Sequence, residues 1–162
     1  MEEVQTDNVE VIGSDLIYAA GYFDGEGCIT ILKCHDISPT LRITIVSTNK
    51  AVLALFGRLF HQRVYEVEHS KYARLHQKSK ARLFRWSISG ARAAETLRDI
   101  EPLLIAKRQQ AQLALSVNWS SGIVEGREQV IAQRWTVKEQ LSKLKRIEKG
   151  EVPENCPTKR GD

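Results

Sequence analysis

The stretch Ile17-Tyr18-Ala19-Ala20-Gly21-Tyr22-Phe23-Asp24-Gly25-Glu26-Gly27-Cys28-Ile29 constrains the chain more than any other. It opens as an apolar helix, ends in two acids separated and flanked by glycines, and runs directly into the β-branched segment Ile29-Thr30-Ile31. The last carbonyls of a helix have no partner within it and carry partial negative charge. Two carboxylates placed there concentrate negative potential, which suits a cation. Hard oxygen donors select Mg²⁺, Mn²⁺ or Ca²⁺ over Zn²⁺. Gly21 and Gly25 are four apart and share one helix face. A strip without side chains lets a second helix come close. About ten apolar residues are too few to cross a bilayer, which takes about 20. The strip therefore reads as a helix contact across a two-fold axis. Such symmetry brings two copies of the Asp24/Glu26 end together, and cations held near paired carboxylates hydrolyse phosphodiesters.

Ala19 to Gly27, AAGYFDGEG, resembles the signature of the LAGLIDADG homing endonucleases over all nine positions, with Ala for the leading Leu and Glu for the second Asp. The resemblance implies an α+β chain with the αββαββα fold. In that fold helices cover one face of a four-stranded antiparallel saddle, and C-terminal helices follow. No second Gly-x-x-Asp-Gly-x-Gly occurs. Single-motif members of the family work as homodimers, so the expectation is a symmetric dimer on a near-palindromic site, with Ala20, Gly21 and Gly25 in the interface.

The 162 residues suit one domain, 42% of them hydrophobic, which is enough for a real core. The organisation expected is an acidic segment over 1–13, the endonuclease domain over 14–149, and a disordered Pro/Gly/charge-rich tail over 150–162. Net charge is +4, but Arg58 to Arg92 holds nine Lys/Arg against two Glu, so the rest of the chain is net negative. A concentrated basic stripe is a nucleic-acid footprint, or else a solvated face. The three cysteines, Cys28, Cys34 and Cys156, show no CxxC spacing, which argues against a disulfide framework or a zinc site. No secretory signal or apolar spanning run is visible, so the expected setting is intracellular, in cytoplasm, nucleoid or organelle matrix, with no membrane partner.

Taken in order, Ser14 or Asp15 caps a first helix ending near Asp24. A strand over Cys28–His35, a turn at Asp36-Ile37-Ser38-Pro39 and a strand over Thr40–Ser47 make a hairpin. Leu41, Ile43 and Ile45 alternate with Arg42, Thr44 and Val46, so one face is buried. A helix to about Phe60 carries the stripe Val52, Leu55, Phe56, Leu59. Strands follow near Arg63–His69 and over Arg82–Ser89, then helices over Ala91–Ile100, Lys107–Ser120 and Glu128–Lys149. Each strand of eight residues spans about 27 Å, close to eight base pairs at roughly 3.4 Å each. A β-ribbon fits the DNA major groove.

Under the resemblance, Glu26 is the principal metal ligand, helped by the Gly25 carbonyl. Asp24 is a second candidate whose family counterpart leans toward closing the helix end. Mg²⁺ is the expected cofactor, with Mn²⁺ able to substitute and Ca²⁺ able to bind without supporting cleavage. Pro102 to Ala111 resembles the family's P-x-L-x-x-K-x-x-Q-A stretch and puts Lys107 in the active-site lysine role. Asn49 stands where the family usually carries a water-organising Gln, and it is equally well placed to cap a helix. A second basic group is expected early in that helix, but Val52 and Leu53 lie there, leaving Lys50 or Arg58 as substitutes. By alternation the DNA-reading positions are Thr30, Leu32, Cys34, Arg42, Thr44, Arg85 and Ser87, with Arg82 beside them. Arg74, Lys78 and Lys80 suit phosphate contacts from a basic loop. Glu66 and Glu68 are unexpected there; they suit cytosine, or an ion pair with Arg82 or Arg85.

The function so implied is sequence-specific, metal-dependent double-strand cleavage across the minor groove, leaving short 3′ overhangs, in the service of intron homing. The alternative is a catalytically silent scaffold: a maturase binding its own intron RNA, or a DNA-binding regulator. A plain protein-interaction module is a third reading, distinguished by having no salt-dependent DNA affinity.

Overall fold

Nothing between Thr6 and Glu26 stops a helix. Gly13 costs only about 1 kcal/mol relative to Ala, and no proline intervenes. In the computed structural model, which describes residues 6–34, 38–67, 82–120, 122 and 126–150, helix α1 accordingly spans Thr6–Glu26. It starts upstream of Ser14 and Asp15, which are interior to it rather than caps. It also runs two residues past Asp24, so both acids belong to its last turn. The tail over 151–162 lies outside the described residues.

The chain turns at Gly27 into β1 (Cys28–Cys34), pairs back through β2 (Ser38–Ser47), and continues as α2 (Lys50–Leu59), β3 (Val64–Glu66) and β4 (Phe84–Ser89). Helix α3 (Ala91–Ile100), a 3-10 turn (Glu101–Leu103), α4 (Arg108–Leu115) and α5 (Arg127–Glu148) complete it. The sheet order is β1-β2-β4-β3, antiparallel throughout. The expected α+β architecture is the observed one: a four-stranded antiparallel sheet with its helices packed on one face.

Ser38 and Pro39 belong to β2 and not to the preceding turn. Proline is tolerated there because β2 pairs with β4 only from Arg42 onward. The amide that Pro39 lacks would point to the side where no strand lies. Its ring is buried instead.

Alternation sets the two faces of the sheet. Ile29, Ile31, Leu41, Ile43, Ile45, Trp86 and Ile88 are buried against the helices, each worth about 1.5–3 kcal/mol relative to exposure. Small residues let the helices sit close: Ala19 and Ala20 on α1, Ala93 and Ala94 on α3, Ala111 and Ala114 on α4 are all buried. Under α2, Phe56 and Phe60 lie 5.0 and 5.7 Å from the Trp86 ring. Helix α5 lies along β1 and β2 with Val137 and Leu141 inward. Its Lys145 ammonium donates to the Ile29 carbonyl, so the helix is tied to the start of edge strand β1.

Candidate active site and nucleic-acid face

The last turn of α1 ends at Gly27, whose N–H donates to the Phe23 carbonyl at 2.8 Å. A Cβ at Gly27 would lie 2.4 Å from the Phe23 ring and 2.5 Å from that carbonyl. The turn therefore requires glycine, and it delivers the two acids to different surroundings.

Asp24 is committed within the chain. Its Oδ2 accepts from the N–H groups of Ile105 and Ala106 at 2.9 and 2.8 Å, and its Oδ1 from that of Lys107 at 2.7 Å. The carboxylate thus holds the N–H groups leading into α4, a favourable place for negative charge. Partial burial pushes its pKa up. The three backbone donors and the Lys107 ammonium more than offset this, and the carboxyl titrates below the ordinary aspartate value. With both oxygens engaged, Asp24 is an anchor between helices.

Glu26 is exposed and makes no hydrogen bond or ion pair among the described residues. Lys107 returns the contact that Asp24 makes. Its ammonium donates to the Asp24 carbonyl and, at 3.3 Å, to the Gly25 carbonyl. A lysine next to the N-terminus of α4 is poorly placed for that helix, but its charge sits on the C-terminal carbonyls of α1, where a cation is favoured. Within the Pro102–Ala111 stretch, Leu104, Gln110 and Ala111 are buried while most of the other residues are exposed. Ala111 is fully buried, and the buried Gln110 amide donates to Glu148 on α5.

Asn49 caps α2, its Oδ1 accepting from the Val52 N–H at 3.2 Å. Its own N–H donates to Ser47 Oγ at 3.1 Å, and Ser47 Oγ is 2.9 Å from the Tyr22 hydroxyl. Tyr22, inside the signature, thereby ties α1 to the end of β2, a link that sequence spacing did not suggest. Lys50 places its ammonium over the Phe84 ring, 5.4 Å from the centroid, and Arg58 is in the last turn of α2, at the far end from Asn49. Neither stands beside Glu26.

Of the residues expected on a two-fold interface, Ala20 is fully buried in its own chain and cannot meet a partner. Its position faces the sheet because a helix turns 100° per residue, so neighbours in sequence diverge. Gly21 and Gly25 are exposed, and a Cβ at either would meet nothing within 4 Å. Beside them Ile17 and Tyr18 are 62% and 52% exposed, and Ile105 is 89% exposed.

The open face of the sheet carries cross-strand rows. Thr30, Arg42 and Ser89 form one, Cys28, Thr44 and Ser87 a second, and Val46, Arg85 and Tyr65 a third. Arg42 Nε donates to Ser89 Oγ at 3.1 Å, Thr30 Oγ1 to the Arg42 carbonyl at 3.2 Å, and the Thr44 and Ser87 hydroxyls are 2.9 Å apart. Arg42 and Arg85 are exposed and Leu32 is half-buried. Val46 is exposed on this face, as the alternation in β2 implies, and Tyr65, which was not among the expected residues, is exposed beside it. The Cys34 side chain and Arg74, Lys78 and Lys80 lie outside the described residues, as does Glu68. Glu66 is not on the open face. Val64 pairs with Trp86, so Glu66, two residues on, shares the helix side. It pairs there with Arg82 at 3.7 Å, which takes Arg82 out of the open rows.

Glu26 and the Gly25 carbonyl are oxygen donors only, matching a hard divalent cation in kind. Among the described residues no three His, Cys, Asp or Glu side chains converge.

This fold is that of homing endonucleases. The structure of I-CvuI in complex with the I-CreI target in the presence of Mg, with the DNA not cleaved, aligns over 82% of this chain and 83% of that one at 17% identity and a TM-score of 0.62. I-CvuI with its own target Sro1.3 in the presence of Ca aligns over 82% and 83% at 18% identity, TM-score 0.59. The archaeal intron-encoded homing endonuclease I-Vdi141I complexed with DNA aligns over 93% and 90% at 14% identity, TM-score 0.57. No family model and no curated protein matches the chain. No helix among the described residues is long and apolar enough to cross a membrane.

Proposed function

We propose that this chain is a sequence-specific double-strand DNA endonuclease of the intron-homing kind, working as a homodimer with divalent metal. One observation carries the reading. Of two acids at the end of a glycine-striped helix, Asp24 is fully engaged and Glu26 has no partner among the described residues. A solvated carboxylate with no structural task, at the edge of an open polar sheet face, fits a cation site. The solved neighbours, bound to DNA and in two cases accompanied by Mg or Ca, support the same assignment.

In this reading the exposed strip Ile17, Tyr18, Gly21 and Gly25 packs on its symmetry mate and brings two Glu26 side chains near each other. Glu26 and the Gly25 carbonyl hold the cation. Bound there, a divalent ion lowers the pKa of its water and stabilises developing charge on phosphate. Lys107 supplies positive charge to the phosphate group and keeps the α1 terminus in place. The Asn49 amide nitrogen orients water while its oxygen caps α2. Arg42 and Arg85 read base edges, guanine being the preferred partner, and Tyr65 adds an apolar contact.

The test is a plasmid bearing the intron-less target, incubated with Mg²⁺, Ca²⁺ or EDTA. Cutting with Mg²⁺ alone, lost in Glu26→Gln with binding retained, is the expected result. Binding in all three conditions with cutting in none would hand the case to the silent maturase or regulator. That rival draws on α5, where Lys138 lies over Trp135 at 4.7 Å beside Lys143 and Arg146, a basic and aromatic surface suited to RNA.

A further inference from the structure

At the end of the sheet remote from Glu26, where β2 begins and β4 hands over to α3, there is a cavity of about 440 Å³. Arg127, Arg134, Ser38, Thr40 and Ser89 line it, together with the Gly90–Ala91 start of α3. Among the described residues lining it there is no carboxylate. Arg92 borders it too, but its guanidinium donates to the Phe60 and His61 carbonyls at 3.1 and 3.2 Å. The cavity's charge comes from Arg127 and Arg134.

Arg134 is the unusual member, with only 8% of its surface exposed. It donates to the Asn118 and Ser120 carbonyls at 2.8 and 2.9 Å and to Ser38 Oγ at 3.0 Å, and it lies 5.2 Å from the Trp119 ring centroid. Every one of these partners is neutral. Burial lowers the pKa of this guanidinium, the sign of a cation held out of water without a counter-charge. Such a charge is costly until an anion answers it. Three of its five N–H donors are used, so two remain for a ligand. Arg127, exposed at the first position of α5, adds a second charge. Gly90 has no side chain to cap α3, which leaves the first N–H groups of that helix without a side-chain acceptor.

We propose that this cavity is a phosphate-binding site. Its walls offer two guanidiniums, serine and threonine hydroxyls and a helix start, with no competing acid among the described residues. Ser89 and Thr40 belong both to the cavity and to the open face of the sheet, and Ser89 is bonded to Arg42. A duplex lying on that face would run its backbone over the cavity mouth. From Ser47 to Ser38 the strand covers about 30 Å at roughly 3.4 Å per residue, so the phosphate held here lies at the outer limit of each half-site. The DNA origin of the phosphate rests on the endonuclease reading; the anion site itself does not.

The first experiment titrates inorganic phosphate into the full chain at constant ionic strength, exchanging chloride, and follows tryptophan fluorescence and thermal midpoint. Saturable change is expected, weakened at least tenfold in Arg127→Ala and partly restored in Arg127→Lys. Absence of saturation, or equal response in Arg127→Ala, overturns the site. The second experiment measures duplex binding against salt concentration. Arg127→Ala is expected to reduce the magnitude of the log–log slope by about 2, one phosphate contact from each chain of the dimer. If phosphate binding is lost in the variant but the slope is unchanged, the ligand is free phosphate and the DNA assignment falls. A chain that binds no duplex at any salt removes the endonuclease reading, and the first experiment then decides the cavity alone.

Discussion

The two ends of the sheet treat charge in opposite ways. At the inner end, where α1 meets β1, Asp24 is answered by three backbone N–H groups and an ammonium, and Lys107 by two carbonyls. Only Glu26 is left over. At the outer end, Arg134 has hydrogen bonds but, among the described residues, no opposite charge and no acid lining its cavity. Local satisfaction at the inner end leaves the Glu26 carboxylate unpaired among the described residues. Incomplete compensation at the outer end leaves positive charge for an anion.

Five substitutions break or sharpen that contrast. Glu26→Gln removes the unpaired acid of the signature and is expected to slow plasmid cutting by at least ~10³-fold, about 4 kcal/mol in barrier. Binding in a gel-shift assay should be unchanged, and undiminished cutting would return Glu26 to the surface. Gly27→Ala forces a methyl into the Phe23 ring and carbonyl. It should cost about 3 kcal/mol in denaturant melts, since overpacking runs to that size. Gly21→Ala should instead stabilise the lone chain by up to about 1 kcal/mol and loosen self-association in sedimentation. Identical effects at both glycines would undo the distinction between an internal turn and an external strip.

Asp24→Asn should lose about 1–3 kcal/mol at neutral pH, the range for hydrogen bonds to a charged group. The sign follows from the lowered folded pKa of this carboxyl. Its stabilisation is complete above the unfolded value of about 3.9 and disappears as pH falls through the folded value. Wild type and variant melting curves should therefore converge in strong acid. A gap that persists there would assign the loss to shape and not to charge. Smallest is Arg85→Ala, expected to cost about 1–3 kcal/mol of discrimination at one base pair, read as a relaxed preference in a target library.

Much of this was legible in the sequence, and the gaps have physical causes. The acids at a helix end, the alternation in Leu41-Arg42-Ile43-Thr44-Ile45 and the Pro102 break are local signals, and each element they imply exists. Asp24 was ambiguous because its partners are 81 to 83 residues away. Glu66 was assigned to the open face because a three-residue strand carries too little pattern to set its own register. Pairing with Trp86 sets it instead. Ala20 looked like part of the glycine strip, but only rotation about the helix axis separates it from Gly21. The outer cavity has no motif at all: Ser38, Ser89 and Arg134 meet only through tertiary packing.

The clasp between Asp24 and the backbone of 105–107 has a consequence for synthesis. A nascent chain exposes its signature helix early, long before residue 105 has left the ribosome. Until then the Asp24 carboxylate lacks the amides that hold it and the α1 terminus lacks its lysine. A half-made protein therefore cannot arrange the tip of that helix as the finished one does, so any cutting power would arise only once translation has passed the clasp.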